Sequence, residues 1–379
     1  MKQYTLNLCF SLLFLTTAVT SCQNKEQNTA PKDQKEMEEF KKKYPVFKWE
    51  ENICGPTEYP AEVYRGGLET RNINGDVLSS TGLNMTLATG PWGSSGGGAS
   101  SGKKYVPNHI NCIWLSYAED TFYKIDCPID YDKAVALFRE GYPNRLAFFN
   151  YNEHLKDHYD TIITGFAPGG VVVIWLYGGG RQVEIGRYQG TKYTVPEDEI
   201  AGLELPTKNL FDPSYRKFIL TNKSVVPLAV QEANKNKPIP YGLWDSYRTR
   251  YSWRPSFNLK EGVVVDMFNV VMYNGEQEEL FDETLTKNEF KKRAMPKRFS
   301  FSWKDKTGQE YVAYFELDED EVFNAFHEMY KNDPALEAEL ECYISYDNDV
   351  ALWLVKGDKR LSLNLGKNIK RDIHKVIHD

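Results

Sequence analysis

The sequence predicts an α+β protein: two related mixed domains, each mainly antiparallel sheet with one helix, joined by a partly helical connector. Three observations carry this. Residues 171–177 are an apolar run of strand length between Pro168-Gly169-Gly170 and Gly178-Gly179-Gly180, and Val183, Ile185 and Tyr188 then roughly alternate with polar residues. Short apolar runs framed by Gly and Pro read as buried strands, and alternation reads as a half-exposed partner. The pattern returns at Leu352-Trp353-Leu354, Gly357, Leu361 and Leu363. Finally, the stretches 130–142 and 318–330 share Asp130/Asp318, Asp132/Asp320, Phe138/Phe326, Glu140/Glu328 and Tyr142/Tyr330 in register.

Taken in order, residues 1–21 have the plan of a signal peptide: Lys2, an apolar core at 6–18, then Val19-Thr20-Ser21. The apolar segment is too short for a stable bilayer-spanning helix. The small residues before Cys22 resemble a lipobox, which implies cleavage before Cys22 and acylation of that cysteine; an ordinary signal peptide is the competing reading. Residues 22–43 are polar and charged and read as a flexible, lipid-anchored tether. The first domain spans 44–190. It holds strand signals at 62–64 and 68–72 with an Asn74-Gly75 turn. A hairpin at 110–117 and 122–127 follows, centred on Glu119-Asp120. Asp130 reads as an N-cap, with Ala134, Leu137, Phe138 and Tyr142 at helical spacing.

Residues 191–256 form the connector, with proline-punctuated helical stretches. The second domain, 257–379, repeats the earlier order. Val263 and Asn274-Gly275 answer Val63 and Asn74-Gly75. Strand signals at 299–303 and 311–317 flank Thr307-Gly308. Asp318 takes the cap role ahead of Val322, Phe323, Phe326 and Tyr330.

Net charge is -7 with a pI near 5.6, which argues against a general nucleic-acid binder. Aromatics reach 14%, which suits either a strand-rich fold or a ligand surface built on amphipathic rings. Gly165-Phe166-Ala167-Pro168-Gly169-Gly170, Trp175, Gly178-Gly179-Gly180, Val183-Glu184-Ile185-Gly186-Arg187 and Trp244-Asp245-Ser246-Tyr247-Arg248-Thr249-Arg250-Tyr251 resemble an uncharacterised, domain-of-unknown-function family of Bacteroidota lipoproteins. The resemblance extends over most of the mature chain. It implies an outer-membrane lipoprotein, on the periplasmic face or the cell surface, and supplies no catalytic residue, substrate or cofactor.

Candidate chemistry is sparse. Gly178-Gly179-Gly180 lacks the following helix that a phosphate cradle needs and reads as a turn. Gly93-Ser94-Ser95-Gly96-Gly97 matches a nucleophile-elbow spacing without its strand-to-helix context. His154 and His158 have a metal-ligand spacing but no third ligand, and His374 and His378 repeat it in a polar tail. The acidic run at Glu316, Asp318, Glu319, Asp320 and Glu321 suits a helix start. Lys287, Lys291, Lys292, Arg293, Lys297 and Arg298 crowd one linker, as a solvated loop or as a contact for anionic headgroups or a glycan. Cys112 and Cys127 are expected directly opposite each other on the inward face of their hairpin, either as a disulfide or as two buried thiols.

The connector carries the candidate ligand-binding surface: Trp244, Tyr247, Arg248, Arg250, Tyr251, Trp253 and Arg254. Helical spacing would put Trp244, Tyr247 and Tyr251 on one face. Such residues either wedge the domains together or act as exposed anchors. No metal or cofactor is assigned. The function expected is a lipid-anchored envelope protein that contacts a glycan, peptide or partner protein and the membrane through Cys22. The alternatives are a hydrolase of an envelope or extracellular glycan or peptide polymer, and an immunity protein against a toxin.

Overall fold

The computed structural model describes residues 34–64, 67–80, 86–94, 98–143 and 156–377. Cys22, Ser95, His154 and His378 lie outside them, so the lipid site does too, as do part of the serine motif and one member of each histidine pair. The first described element is a helix, Gln34–Lys43, with Glu36 in its first turn and Lys41, Lys42 and Lys43 in its last, as the helix dipole favours. Residues 41–379 form one compact unit. The fold is mixed α+β, mostly antiparallel sheet with few helices.

The two halves are not separate sandwiches. One ten-stranded sheet runs through both. In spatial order its strands are Gly98–Tyr105, Val46–Cys54, Thr161–Ala167, Val171–Gly178 and Arg181–Gln189, then Gln277–Phe281, Val264–Met272, Pro296–Lys304, Glu310–Glu316 and Lys370–Lys375. A single register pair, Gln182 with Gln277, bridges the halves. A seven-stranded sheet covers the first half, and a five-stranded sheet covers the second.

Pairing in the halves follows one scheme. Val46–Cys54 lies parallel to Thr161–Ala167, which starts an antiparallel meander. Tyr251–Asn258 lies parallel to Glu337–Ile344, which starts another. Each half also carries a hairpin followed by a helix: His109–Ser116 and Thr121–Pro128 before Tyr131–Glu140, and Pro296–Lys304 and Glu310–Glu316 before Glu319–Tyr330. Sheet membership is exchanged, however. The first half puts its meander in the long sheet, and the second half puts its hairpin there.

The two helices that follow the hairpins start as the sequence indicates. Asp130 accepts from the Lys133 amide at 3.1 Å, and Asp318 accepts from Glu321 at 3.0 Å. Their apolar stripes, Ala134, Val135 and Phe138 in one and Val322, Ala325, Phe326, Met329 and Tyr330 in the other, are buried. Gly178-Gly179-Gly180 leads from one antiparallel strand into the next, with Gly180 at φ +92°.

Three expectations are corrected. The hairpin pairs Cys112 with Ile125, Ile110 with Cys127 and Trp114 with Tyr123. The turn is 117–120, with Asp120 in left-handed backbone, so its centre lies one residue earlier than Glu119-Asp120. Opposed residues shift by two, an even slip that preserves the face. The cysteines are therefore diagonal neighbours on the inward face, and both thiols are free. Secondly, the helix expected across 244–251 is only Leu243–Ser246, and Tyr251–Asn258 is a strand. The sequence held that signal in Tyr251, Trp253 and Phe257, aromatics at a period of two, and parallel pairing with Glu337–Ile344 settles it. Thirdly, Gln182 and Glu184 are buried while Val183 is half-buried. The pairing jumps from Ile174–Gly186 to Trp175–Glu184, leaving Ile185 as a bulge that turns the polar residues toward the seam.

A candidate cleft at the seam

The seam between the halves is held by close backbone approach. Trp175 Nε1 donates to the Asn274 carbonyl at 3.1 Å. Gln182 Nε2 donates to the carbonyls of Gly93 and Gly275, each at 2.6 Å. A Cβ on Gly93 would lie 2.6 Å from the Gly275 Cα, and both glycines have positive φ, at +79° and +89°. Only glycine fits that contact without strain. The turn carrying Trp92 is thereby fixed over the Asn274-Gly275 turn.

Aromatic rings extend outward from this point. Trp92 meets Trp175 edge-on at 5.0 Å and Trp244 at 6.4 Å; Trp244 meets Tyr59 edge-on at 5.7 Å. Tyr247 stacks on Tyr273 at 5.3 Å. Tyr59, Trp92, Trp244, Tyr247 and Tyr273 line a cleft of about 510 Å³. A lobe of about 200 Å³ adjoins it, sharing Pro91, Trp92, Lys297 and Arg298.

Charged groups line the rest. Along Pro296–Lys304 the pairing jumps from Val271–Arg298 to Met272–Pro296, so Lys297 is an extra, bulged residue. Neighbours on a regular strand point to opposite faces, and a bulge re-aims one of them. Lys297 and Arg298 consequently line both lobes. Among the described residues neither side chain makes an ion pair or a hydrogen bond. Burial pulls the Lys297 ammonium below its ordinary value, against the opposing pull of Glu58. Burial pushes the Glu319 carboxyl up, although the Tyr247 hydroxyl donates to its two oxygens at 3.0 and 3.1 Å. Glu316 is paired with Lys370 at 2.7 Å, and Glu58 is exposed at the mouth.

Of the seven aromatic and arginine candidates, Trp244 and Tyr247 reach this cleft, and both are largely buried. Tyr251 packs on Phe326 and Tyr330, at 5.3 and 4.7 Å. Trp253 is fully buried and donates to the Ala294 carbonyl at 3.0 Å. The arginines serve as ties. Arg248 holds Glu184 at 2.8 Å, Arg250 holds Glu276 at 2.7 Å and Arg254 holds Glu339 at 2.6 Å. Glu276 in turn accepts from the Glu184 amide at 3.1 Å, so Arg248 and Arg250 clamp opposite sides of the seam. Nearby, burial pushes the Glu278 carboxyl up, but Arg293 at 2.6 Å, Arg181 and Lys291 outweigh it and hold the group at about 2.

Sequence reasoning missed Glu58, Tyr59 and Trp92. It named Lys297, Arg298, Glu316 and Glu319 only as members of a basic and an acidic run. The acidic run does start a helix: Asp318 caps it, and Glu321 accepts from the Leu365 and Gly366 amides. Within the basic run, Arg293 is buried against Glu278, and Lys287 pairs with Glu283. Among the described residues no cluster of His, Cys, Asp and Glu could hold a metal ion, and no helix is long and apolar enough to cross a membrane.

The sequence pattern of a family of proteins of unknown function, DUF2931, matches residues 25–242, more than half of the chain, and the chain belongs to that family. The match ends just before the helix that carries Trp244. No curated protein and no solved structure matches the chain.

Proposed function

We propose that this DUF2931 protein is a lipid-anchored protein of the outer membrane that binds an oligosaccharide chain in the seam cleft. The single observation that carries the reading is the convergence, in one cleft, of aromatic rings with two cations, Lys297 and Arg298, that make no ion pair or hydrogen bond among the described residues. Cations left unpaired beside buried rings are unfavourable for folding alone and are ordinarily retained for a ligand. Half-buried Tyr59 and the edge of Trp92 offer a face for a sugar ring, and Glu58 and Glu316 offer acceptors for its hydroxyls. Attachment through an acylated Cys22 would leave the cleft tethered close to envelope polymers.

Titration with oligosaccharides, followed through the fluorescence of Trp92 and Trp244, tests the reading. Saturable quenching that Tyr59→Ala weakens at unchanged melting temperature is expected. A response to peptides and not to saccharides would replace the ligand class. A hydrolase is the second reading. It is favoured by one observation, a carboxyl pushed up (Glu319) and a lysine pulled down (Lys297) lining the same cleft, as acid–base sites arrange. Release of reducing ends, abolished by Glu319→Gln, would select it. The matching order of parallel pairing, hairpin, capped helix and meander in the two halves also supports an origin by duplication of one unit, with the sheets exchanged at the seam.

A further inference from the structure

We infer that the bulge at Lys297 builds a carboxylate-binding subsite, so that the saccharide the cleft takes is an acidic one. The inference rests on the proposed cleft reading and goes further than it by naming the charged group.

The bulge is the central observation. Lys297 and Arg298 are consecutive, and regular strand geometry would have sent one of them away from the cleft. The irregular register brings both to the wall shared by its two lobes. The bulge is pinned from behind: the Leu317 amide donates to the Lys297 carbonyl at 2.8 Å, and the Tyr273 amide to the Met295 carbonyl at 3.0 Å. Two cations side by side repel each other, and among the described residues no carboxylate forms an ion pair with either, although Glu58, Glu316 and Glu319 attract Lys297 from farther off. The fold thus keeps a repulsive pair, only partly offset, in a partly desolvated wall. A carboxylate from outside would relieve it, taking a forked pair of bonds from the guanidinium and a third from the ammonium.

The cleft's own acids do not fill this role. Glu316 is engaged by Lys370, Glu319 holds the Tyr247 hydroxyl, and Glu58 is exposed at the mouth. They leave room for a ligand whose other groups are hydroxyl donors. A carboxylate together with several hydroxyls and a flat apolar ring face describes a uronic-acid-type sugar. Burial lowers the proton affinity of Lys297, so capture should weaken as pH rises toward the alkaline range, earlier than for an exposed lysine.

The test uses the folded mature chain and three probes: short oligogalacturonate, the same oligomer methyl-esterified, and inorganic phosphate. Oligogalacturonate should bind. Its ester should bind at least roughly tenfold more weakly, the usual loss for a hydrogen bond to a charged group. Lys297→Gln with Arg298→Gln should cut acid binding by a similar factor, so that acid and ester then bind alike. Lys297→Arg should retain it. Equal binding of acid and ester would overturn the carboxylate subsite while leaving the cleft reading intact. Binding of neither would overturn both. Displacement of oligogalacturonate by an equal concentration of phosphate would show a free-anion site and remove the sugar from the inference.

Discussion

Glu51 offers the sharpest quantitative test of the fold. It lies on Val46–Cys54 between Trp49 and Ile53, two residues of the first-half core, and has no exposed surface. Among the described residues neither carboxylate oxygen has a hydrogen-bond partner, although the Ser79 hydroxyl lies near, short of full hydrogen-bond geometry. Burial pushes the group from 4.5 up to about 8, with Ser79 and Lys104 opposing weakly. Below pH 4.5 both folded and unfolded chains carry the proton, and the contribution to stability is fully present. Between 4.5 and about 8 the unfolded chain releases the proton while the folded chain keeps it, so stability falls as pH rises. At about 1.36 kcal/mol per unit over about 3.5 units, the loss is at most ~5 kcal/mol and is complete above pH 8. Glu51→Gln removes the titration without changing the shape. Urea unfolding of both chains between pH 4.5 and 8.5 is the assay. The variant should match wild type near pH 4.5 and exceed it by several kcal/mol at pH 8.5. A pH-independent difference, or a variant less stable at pH 8.5, would mean that Glu51 is charged and paired with Lys104, and the reasoning fails.

Trp244→Ala should cost ~3–5 kcal/mol in the same assay, because a nearly fully buried ring leaves a cavity between Tyr59 and Trp92; an unchanged midpoint would show that the ring is not part of the core. Glu278→Gln strands Arg293 in the interior and should cost ~3–5 kcal/mol at neutral pH. The Glu278 contribution is present above pH 4.5 and lost as pH falls toward 2, so the two chains should converge in acid. Gly275→Ala puts a Cβ 3.0 Å from the Gly93 Cα at a φ of +89° and should lower the melting temperature measurably; calorimetry checks it. If Cys22 is the proposed lipid site, Cys22→Ala should abolish incorporation of a fatty-acid analogue and release the protein from membranes, since acyl chains there would contribute ~0.8 kcal/mol per buried methylene.

Much of the local structure was legible in the sequence, because it depends on interactions within a few residues. Asp130 and Asp318 cap helices since an aspartate before an apolar stripe satisfies the free amides of the first turn wherever it stands. The glycine turns and the 171–178 strand follow from backbone freedom and β-propensity in the same way. Which residues meet at the seam depends instead on contacts between segments far apart in the chain. Gly93 touches Gly275, Arg248 reaches Glu184, and Trp92 joins Trp244, and none of these separations has a local signature. The bulge at Lys297 exists because Pro296–Lys304 must pair with Val264–Met272 while its neighbouring backbone is held by Tyr273 and Leu317. Composition thus announced a basic run and an acidic run. Only tertiary pairing decided that Lys297 and Arg298 would share a cleft wall with Glu316 and Glu319, while Arg293 would be buried against Glu278. A side chain's charge is fixed by its type, but its partner is fixed by the sheet register that carries it.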